Sequence, residues 1–280
     1  MNRSYRFRYG VLFLTAGCLV LLAAGCANLT AVNPSFELSH ADAKAELKAM
    51  RAEPVALERP LIFVGPFVDP FVAELVSVGH AKKYFTDDHN IGGVSFVLWD
   101  NFDTCREKTI RKVDRLFPSA DPDSIDTVEV DVIGFSMGGL VARYAALPPD
   151  PERGQTRRLK INRLYTIASP HRGANWAPLG PWISLANDMK SGSDFLARLD
   201  AGQSTADYEL VPYTRLGDWV VGPENTSPPD ENPVWVSARA FEMAHIQAAF
   251  DARIQADILA RLRGQPAFAD LQAAPLPGEE

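Results

Sequence analysis

Short apolar runs alternate with longer amphipathic ones along most of this chain. Leu61-Ile62-Phe63-Val64, closed off by Pro60 and Gly65, is apolar throughout, as a strand buried on both faces of a parallel sheet must be. Residues 92–100, 128–133, 164–168, 211–216 and 234–237 repeat the theme, the 128–133 run alternating valines with Glu129 and Asp131. Helix signals fall between them. Residues 41–52 are rich in Ala, Leu, Glu and Lys and stop at Pro54; 71–85 carry Val72, Leu75 and Val76 on one side. Residues 104–117 space Ile110, Val113 and Leu116 for one face and stop at Pro118, their charged residues reading as a solvated face. Residues 140–147 stop at Pro148-Pro149, and 246–262 place Ile246, Phe250, Ile254 and Ile258 on one apolar side. Strand and helix in alternation predict an α/β fold: a doubly wound, mostly parallel sheet flanked by helices. Ligands of such sheets collect at the carboxyl ends of the strands.

The pattern changes over residues 175–207. There Trp176, Leu179, Trp182, Ile183, Leu185, Met189, Phe195 and Leu196 are interleaved with Gly, Pro and Ser rather than set on a clean helical stripe. A bulky, irregular apolar insert beside the ligand edge reads as a lid or a wall for an acyl chain, with core packing of the same side chains as the competing reading.

The amino terminus is different again. Arg3, Arg6 and Arg8 precede an uncharged apolar run over 11–24, the shape of a secretory signal and too short for a comfortable membrane span. Ala23-Ala24-Gly25-Cys26 resembles the lipobox of bacterial lipoproteins, in which the cysteine is acylated and becomes the first residue of the mature chain. Cys18 has too little apolar sequence before it for the same role. Cleavage before Cys26 removes three arginines and no acid, moving the net charge from −7 to −10. So acidic a chain is a poor partner for nucleic acid. Cys105 is then the one thiol left, expected buried and inert. The expected organisation is a signal peptide over 1–25, a tether and amino-terminal extension over 26–59, one domain over 60–265 with the insert at about 175–207, and a tail over 266–280.

Chemistry enters at Gly134-Phe135-Ser136-Met137-Gly138-Gly139, wedged between the 128–133 strand and the 140–147 helix with no spare residues. In that context Gly-x-Ser-x-Gly reads as a nucleophile elbow. The turn is too sharp for side chains at Gly134 and Gly138, and it forces Ser136 into a strained conformation at the strand's end. The following helix aims free backbone N–H groups at the same point, where the oxyanion of a tetrahedral acyl intermediate would form, with the Met137 N–H as first donor. The loop after 61–64 supplies the second donor in hydrolases with such an elbow. Pro66 has no N–H, which leaves Phe67.

A serine hydroxyl needs a base, and the base needs a carboxylate, in the chain order Ser, acid, His. Of five histidines, His40, His80 and His89 precede Ser136, leaving His171 and His245. Asp218 lies just past the 211–216 strand, and His245 follows the last strand, on the loop a base should occupy. His171 is a rival base but precedes every plausible acid, and Pro170 beside it suggests a structural loop. Glu224, Asp230 and Glu231 compete with Asp218 from a Pro-rich loop.

The blocks Gly134-Phe135-Ser136-Met137-Gly138-Gly139-Leu140-Val141-Ala142-Arg143-Tyr144, Ser169-Pro170-His171-Arg172-Gly173, Gly217-Asp218-Trp219-Val220-Val221 and His245, in this order, together resemble the α/β-hydrolase superfamily. The closer likeness is to its bacterial triacylglycerol-lipase and esterase branch, with relatives among the inositol-deacylase enzymes. That resemblance spans about 60–262. It implies a Ser136, Asp218, His245 triad acting on carboxylic esters without a cofactor or metal, and a 169–173 block that shapes the site without doing chemistry. Such lipases usually carry His-Gly before the oxyanion residue; here the pair is Gly65-Pro66. The expectation is therefore a lipid-anchored serine hydrolase of the bacterial cell envelope acting on acyl esters or lipids, with secretion as the alternative location. An acyltransferase with the same residues and a non-catalytic binding lipoprotein are the rival functions.

Overall fold

The computed structural model describes residues 29–67, 77–97, 99–121, 123–179 and 184–278. The signal segment with Cys18 and Cys26, residues 71–76 of the expected 71–85 helix with its Val72, Leu75 and Val76, and Trp182 and Ile183 of the insert lie outside the described residues.

Strands β1 (Leu61–Val64), β2 (Ile91–Val94), β3 (Val130–Phe135), β4 (Ile161–Ile167), β5 (Glu209–Arg215) and β6 (Val234–Val236) form one sheet in the order β2-β1-β3-β4-β5-β6. Every neighbouring pair is parallel. The chain steps outward from β1 to β2, then returns to lay β3 on the other flank of β1 and continues to β6. The winding direction therefore reverses between β1 and β3, and loops leaving those two strands diverge to open a crevice at their carboxyl ends. Residues 65–67 and Ser136 sit on those two loops.

Helices cover both faces: α1 (His40–Ala52), α2 (Val78–Ala81), α3 (Phe102–Leu116), α4 (Met137–Ala146), α5 (Ser184–Asp188), α6 (Asp194–Gln203), α7 (Ala244–Phe250) and α8 (Ala252–Leu262). Side-chain alternation divides the sheet between two cores. Ile62, Val64 and Val132 face α3, α4 and α6 in one; Leu61, Ile133 and Tyr213 face α1 and α8 in the other. The amino-terminal extension belongs to the second, because Phe36, Ala43, Leu47 and Met50 are buried there against α8. α4 has no exposed residue at all, which explains why its sequence is almost wholly apolar.

Several expectations change in detail. The acids of 128–133 do not both reach water: Asp131 is buried and accepts a hydrogen bond from Asn162 at 2.8 Å, while Glu129 pairs with Arg59 at 2.6 Å. The face of α3 expected to be solvated hides Arg106. Its guanidinium donates to the carbonyls of Tyr144 at 2.6 Å, Ala145 at 2.9 Å and Arg157 at 2.7 Å, so it closes the carboxyl end of α4, whose last carbonyls have no partner within the helix. The 246–262 helix is two helices. Asp251 breaks it and caps α8 through the Arg253 N–H, while its carboxylate, fully enclosed, takes Arg215 from the end of β5. Cys105 is buried, and loss of water around it pushes its thiol pKa up to about 12.

Candidate active site

β3 ends at Phe135 and α4 begins at Met137, so Ser136 alone makes the turn, at φ 54° and ψ −126°. A non-glycine residue held there costs about 1–3 kcal/mol, which the packing around it must offset. That packing leaves no room for side chains. A Cβ at Gly134 would sit 2.6 Å from the Gly139 backbone, one at Gly138 2.1 Å from the Val64 carbonyl oxygen, and one at Gly139 2.3 Å from Ser169 Oγ. Gly138 therefore lets α4 press against the end of β1, bringing Gly65, Pro66 and Phe67 to the cavity that Ser136 lines.

Asp218 follows β5 through Gly217, whose φ of 76° turns the chain sharply inward. The carboxylate is buried; its Oδ1 accepts from the N–H groups of Val220 at 3.0 Å and Val221 at 3.1 Å. Its Oδ2 lies 2.8 Å from His245 Nδ1. A carboxylate only accepts, so Nδ1 carries the hydrogen and Nε2 is left as acceptor. That nitrogen faces Ser136 Oγ at 3.1 Å. His245 occupies the first turn of α7, and its ring is steadied by Phe135 at a centroid distance of 5.4 Å. Three residues from the elbow, the turn after β5 and the first turn of α7 thus form one continuous hydrogen-bonded chain.

The rivals lie elsewhere. His171 is wholly buried, with Nδ1 accepting from Arg143 at 3.0 Å and Nε2 bonded to Thr166 Oγ1 at 3.0 Å, so neither nitrogen is turned to Ser136. Burial, then the charges of Arg143 and Arg172, push its pKa well below the ordinary 6.5. Arg172 donates to the carbonyls of Glu224, Pro228 and Glu231, holding the Pro-rich loop by its backbone. Among the described residues none of Glu224, Asp230 and Glu231 bonds His245.

Arg143 is a supporting residue that motif reasoning passed over. Besides His171 it donates to the Leu199 carbonyl at 3.0 Å and pairs with Asp200 at 3.2 Å, tying the elbow helix to α6. A single charge inside the apolar run 140–147 was the available signal, since such a residue stays buried only with partners.

Ser136 and His245 open into a cavity of about 550 Å³ walled mainly by apolar side chains, among them Phe63, Phe67, Ile167, Met189 and Phe250. The insert divides its labour. Trp176, Ala177, Ala186 and Met189 line the cavity, while Leu196 and Leu199 of α6 pack in the core and Phe195 stacks on Phe102 at 3.8 Å. A neighbouring cavity of about 360 Å³ shares Phe63, Ile133, Ile167, Ala249 and Phe250 with the first.

A family model described as the PGAP1-like alpha/beta domain matches residues 74–190, which include the elbow but end before Asp218 and His245. No curated protein sequence matches the chain. Among solved structures it is similar to phospholipase PlaB from Legionella pneumophila, at 12% identity and a TM-score of 0.51 over 75% of this chain and 60% of that one. The same phospholipase in complex with thio-NAD gives 13% identity and a TM-score of 0.52, over 75% and 58% of the two chains. Bacillus licheniformis lipase BlEst2 in its mature form gives 12% identity and a TM-score of 0.48, over 74% and 94%. The chain thus matches only about three-fifths of the phospholipase's length, and what the two share is the fold.

Proposed function

We infer that this chain, which has the α/β-hydrolase fold, hydrolyses carboxylic esters of acyl chains with Ser136 as nucleophile, His245 as base and then acid, and Asp218 as the carboxylate that orients the imidazole. The observation that carries the reading is the line of two hydrogen bonds, 3.1 Å from Ser136 Oγ to His245 Nε2 and 2.8 Å from His245 Nδ1 to Asp218 Oδ2, at the wall of an apolar cavity.

In the first half-reaction Nε2 takes the Ser136 proton as Oγ attacks the ester carbonyl. The carbonyl oxygen gains negative charge, and the Met137 and Phe67 N–H groups are assigned to hold it. Collapse of the tetrahedral intermediate breaks the bond to the alcohol oxygen, which leaves with the proton from Nε2. Water then enters, gives a proton to Nε2, attacks the acyl-enzyme, and releases the acid as Oγ recovers its hydrogen. Asp218 stays ionised throughout and stabilises the imidazolium in each half. The apolar cavity favours an acyl chain over a polar acid portion.

Acylation of Cys26, and with it a place on the membrane face of a bacterial envelope, belongs to the same proposal; mass measurement of the mature amino-terminal peptide reads it directly. The hydrolase reading is tested with p-nitrophenyl esters of increasing acyl length on the parent and on Ser136→Ala. Turnover in the parent and a loss on the order of 10⁴-fold or more in the variant are expected. Equal rates end the assignment, and no turnover of any ester in the parent favours a binding lipoprotein.

A further inference from the structure

The mouth of the Ser136 cavity is ringed by apolar side chains that the fold leaves in water. Trp176, Ile246 and Phe250 line the cavity and are each about half exposed, and Trp219 packs edge-on against Trp176 with ring centroids 4.3 Å apart. Just before His245 come Met243, half exposed, and Phe241, which is 97% exposed and held at a φ of 63°. An aromatic residue in the left-handed region, with its ring in solvent, gains nothing among the described residues that offsets the strain. Apolar side chains gathered at one opening mark a contact surface.

The chain's own connectivity indicates what that surface meets. Leu29 is anchored beside the same loop: its carbonyl accepts from the Ala238 N–H at 2.7 Å, and its side chain packs with Leu216, Trp235, Ala238 and Ala244. From Cys26 to Leu29 there are three peptide steps, which span at most about 11 Å when fully extended. An acylated Cys26 therefore holds the bilayer surface within about that distance of Leu29, which is bonded to the stretch leading into α7. We propose that the Phe241 loop and the rim of the cavity dock on the leaflet that holds the anchor, so that Ser136 faces the membrane and draws acyl lipid from it. The proposal rests on the anchored-esterase reading. The net charge of −7 before processing and −10 after it argues against anionic lipid as the source of the contact. The contact proposed is that of apolar and aromatic side chains at headgroup depth.

The test uses the full lipoprotein in phosphatidylcholine vesicles. A fluorescent label on Phe241→Cys is compared with one on Asp121→Cys, an exposed site on the loop that enters β3 at its amino end, whereas Ser136 stands at its carboxyl end. Quenching by lipid-borne nitroxides is expected at residue 241 and not at residue 121; equal quenching at the two sites overturns the proposal. In a second measurement, Phe241→Ser combined with Met243→Ser lowers hydrolysis of vesicle phospholipid about tenfold, the rate equivalent of about 1.4 kcal/mol of lost contact, while turnover of a soluble short-chain ester stays as it was. Unchanged vesicle hydrolysis also overturns it. A parent inactive on the soluble ester counts against the esterase reading alone, because label quenching needs no catalysis.

Discussion

Ser136 owes its exposure to glycines that cannot be replaced. A methyl group at Gly138 would collide with the Val64 carbonyl, a backbone atom with nowhere to go. Gly138→Ala is therefore expected to lower stability by at least about 1–3 kcal/mol, read from the urea midpoint, and to lower activity further by parting α4 from the loop of Phe67. Asp218→Asn should leave the fold intact, since an amide oxygen can still accept from Val220 and Val221. It should nonetheless reduce turnover about 10⁴-fold, because an amide turned to His245 no longer selects the Nδ1–H tautomer. That Ser136, Asp218 and His245 would meet was legible in the sequence, because an elbow between strand and helix and a fixed chain order leave few alternatives. Gly139 was not singled out as a required glycine, because the side chain it must avoid, Ser169, arrives from another strand. No local pattern carries that information.

Elements are held in place by buried polar side chains more than by propensity. Arg106 closes α4, and Arg106→Ala, which empties the place of a buried guanidinium and takes the side-chain donor from the Leu147 and Arg157 carbonyls, should cost about 2–4 kcal/mol in the urea midpoint. His171 ties α4 to the loop after β4 in its neutral form. Its pKa is lower folded than unfolded, so its contribution is complete above the ordinary 6.5 and is lost as pH falls toward the folded value, the unfolded chain taking up a proton that the folded one refuses. Between about pH 6.5 and 5.5 the parent should lose about 1 kcal/mol more than His171→Gln, measured by urea unfolding at each pH. These roles explain where the sequence misleads. Periodicity runs unbroken through 246–262, yet the carboxylate of Asp251 is drawn to Arg215 on β5, and the helix gives way there. The charges of α3 likewise look alike in sequence, and only the end of α4 tells Arg106 from its neighbours.

Across the whole molecule, the reversal of winding between β1 and β3 sets the elbow and the Phe67 loop side by side, and the apolar space between sheet and helices does the rest. Ala249 lies on the wall common to the two adjoining cavities, together with Phe63 and Phe250. Ala249→Trp should block the way from one to the other, cutting turnover of long-chain p-nitrophenyl esters on the order of tenfold relative to short ones. The alternating strand and helix signals were enough to anticipate the parallel sheet. They could not show that residues 36–50 pack against α8, nor that the insert sends one half to the cavity and the other to the core, because both outcomes use the same apolar residues. The central claim is that Ser136 is activated by His245, and a fluorophosphonate probe followed by peptide mass spectrometry tests it most directly. A covalent adduct on Ser136 in the parent, lost in His245→Ala, is the predicted result; no adduct at saturating probe, or one that forms equally well without the imidazole, would contradict it.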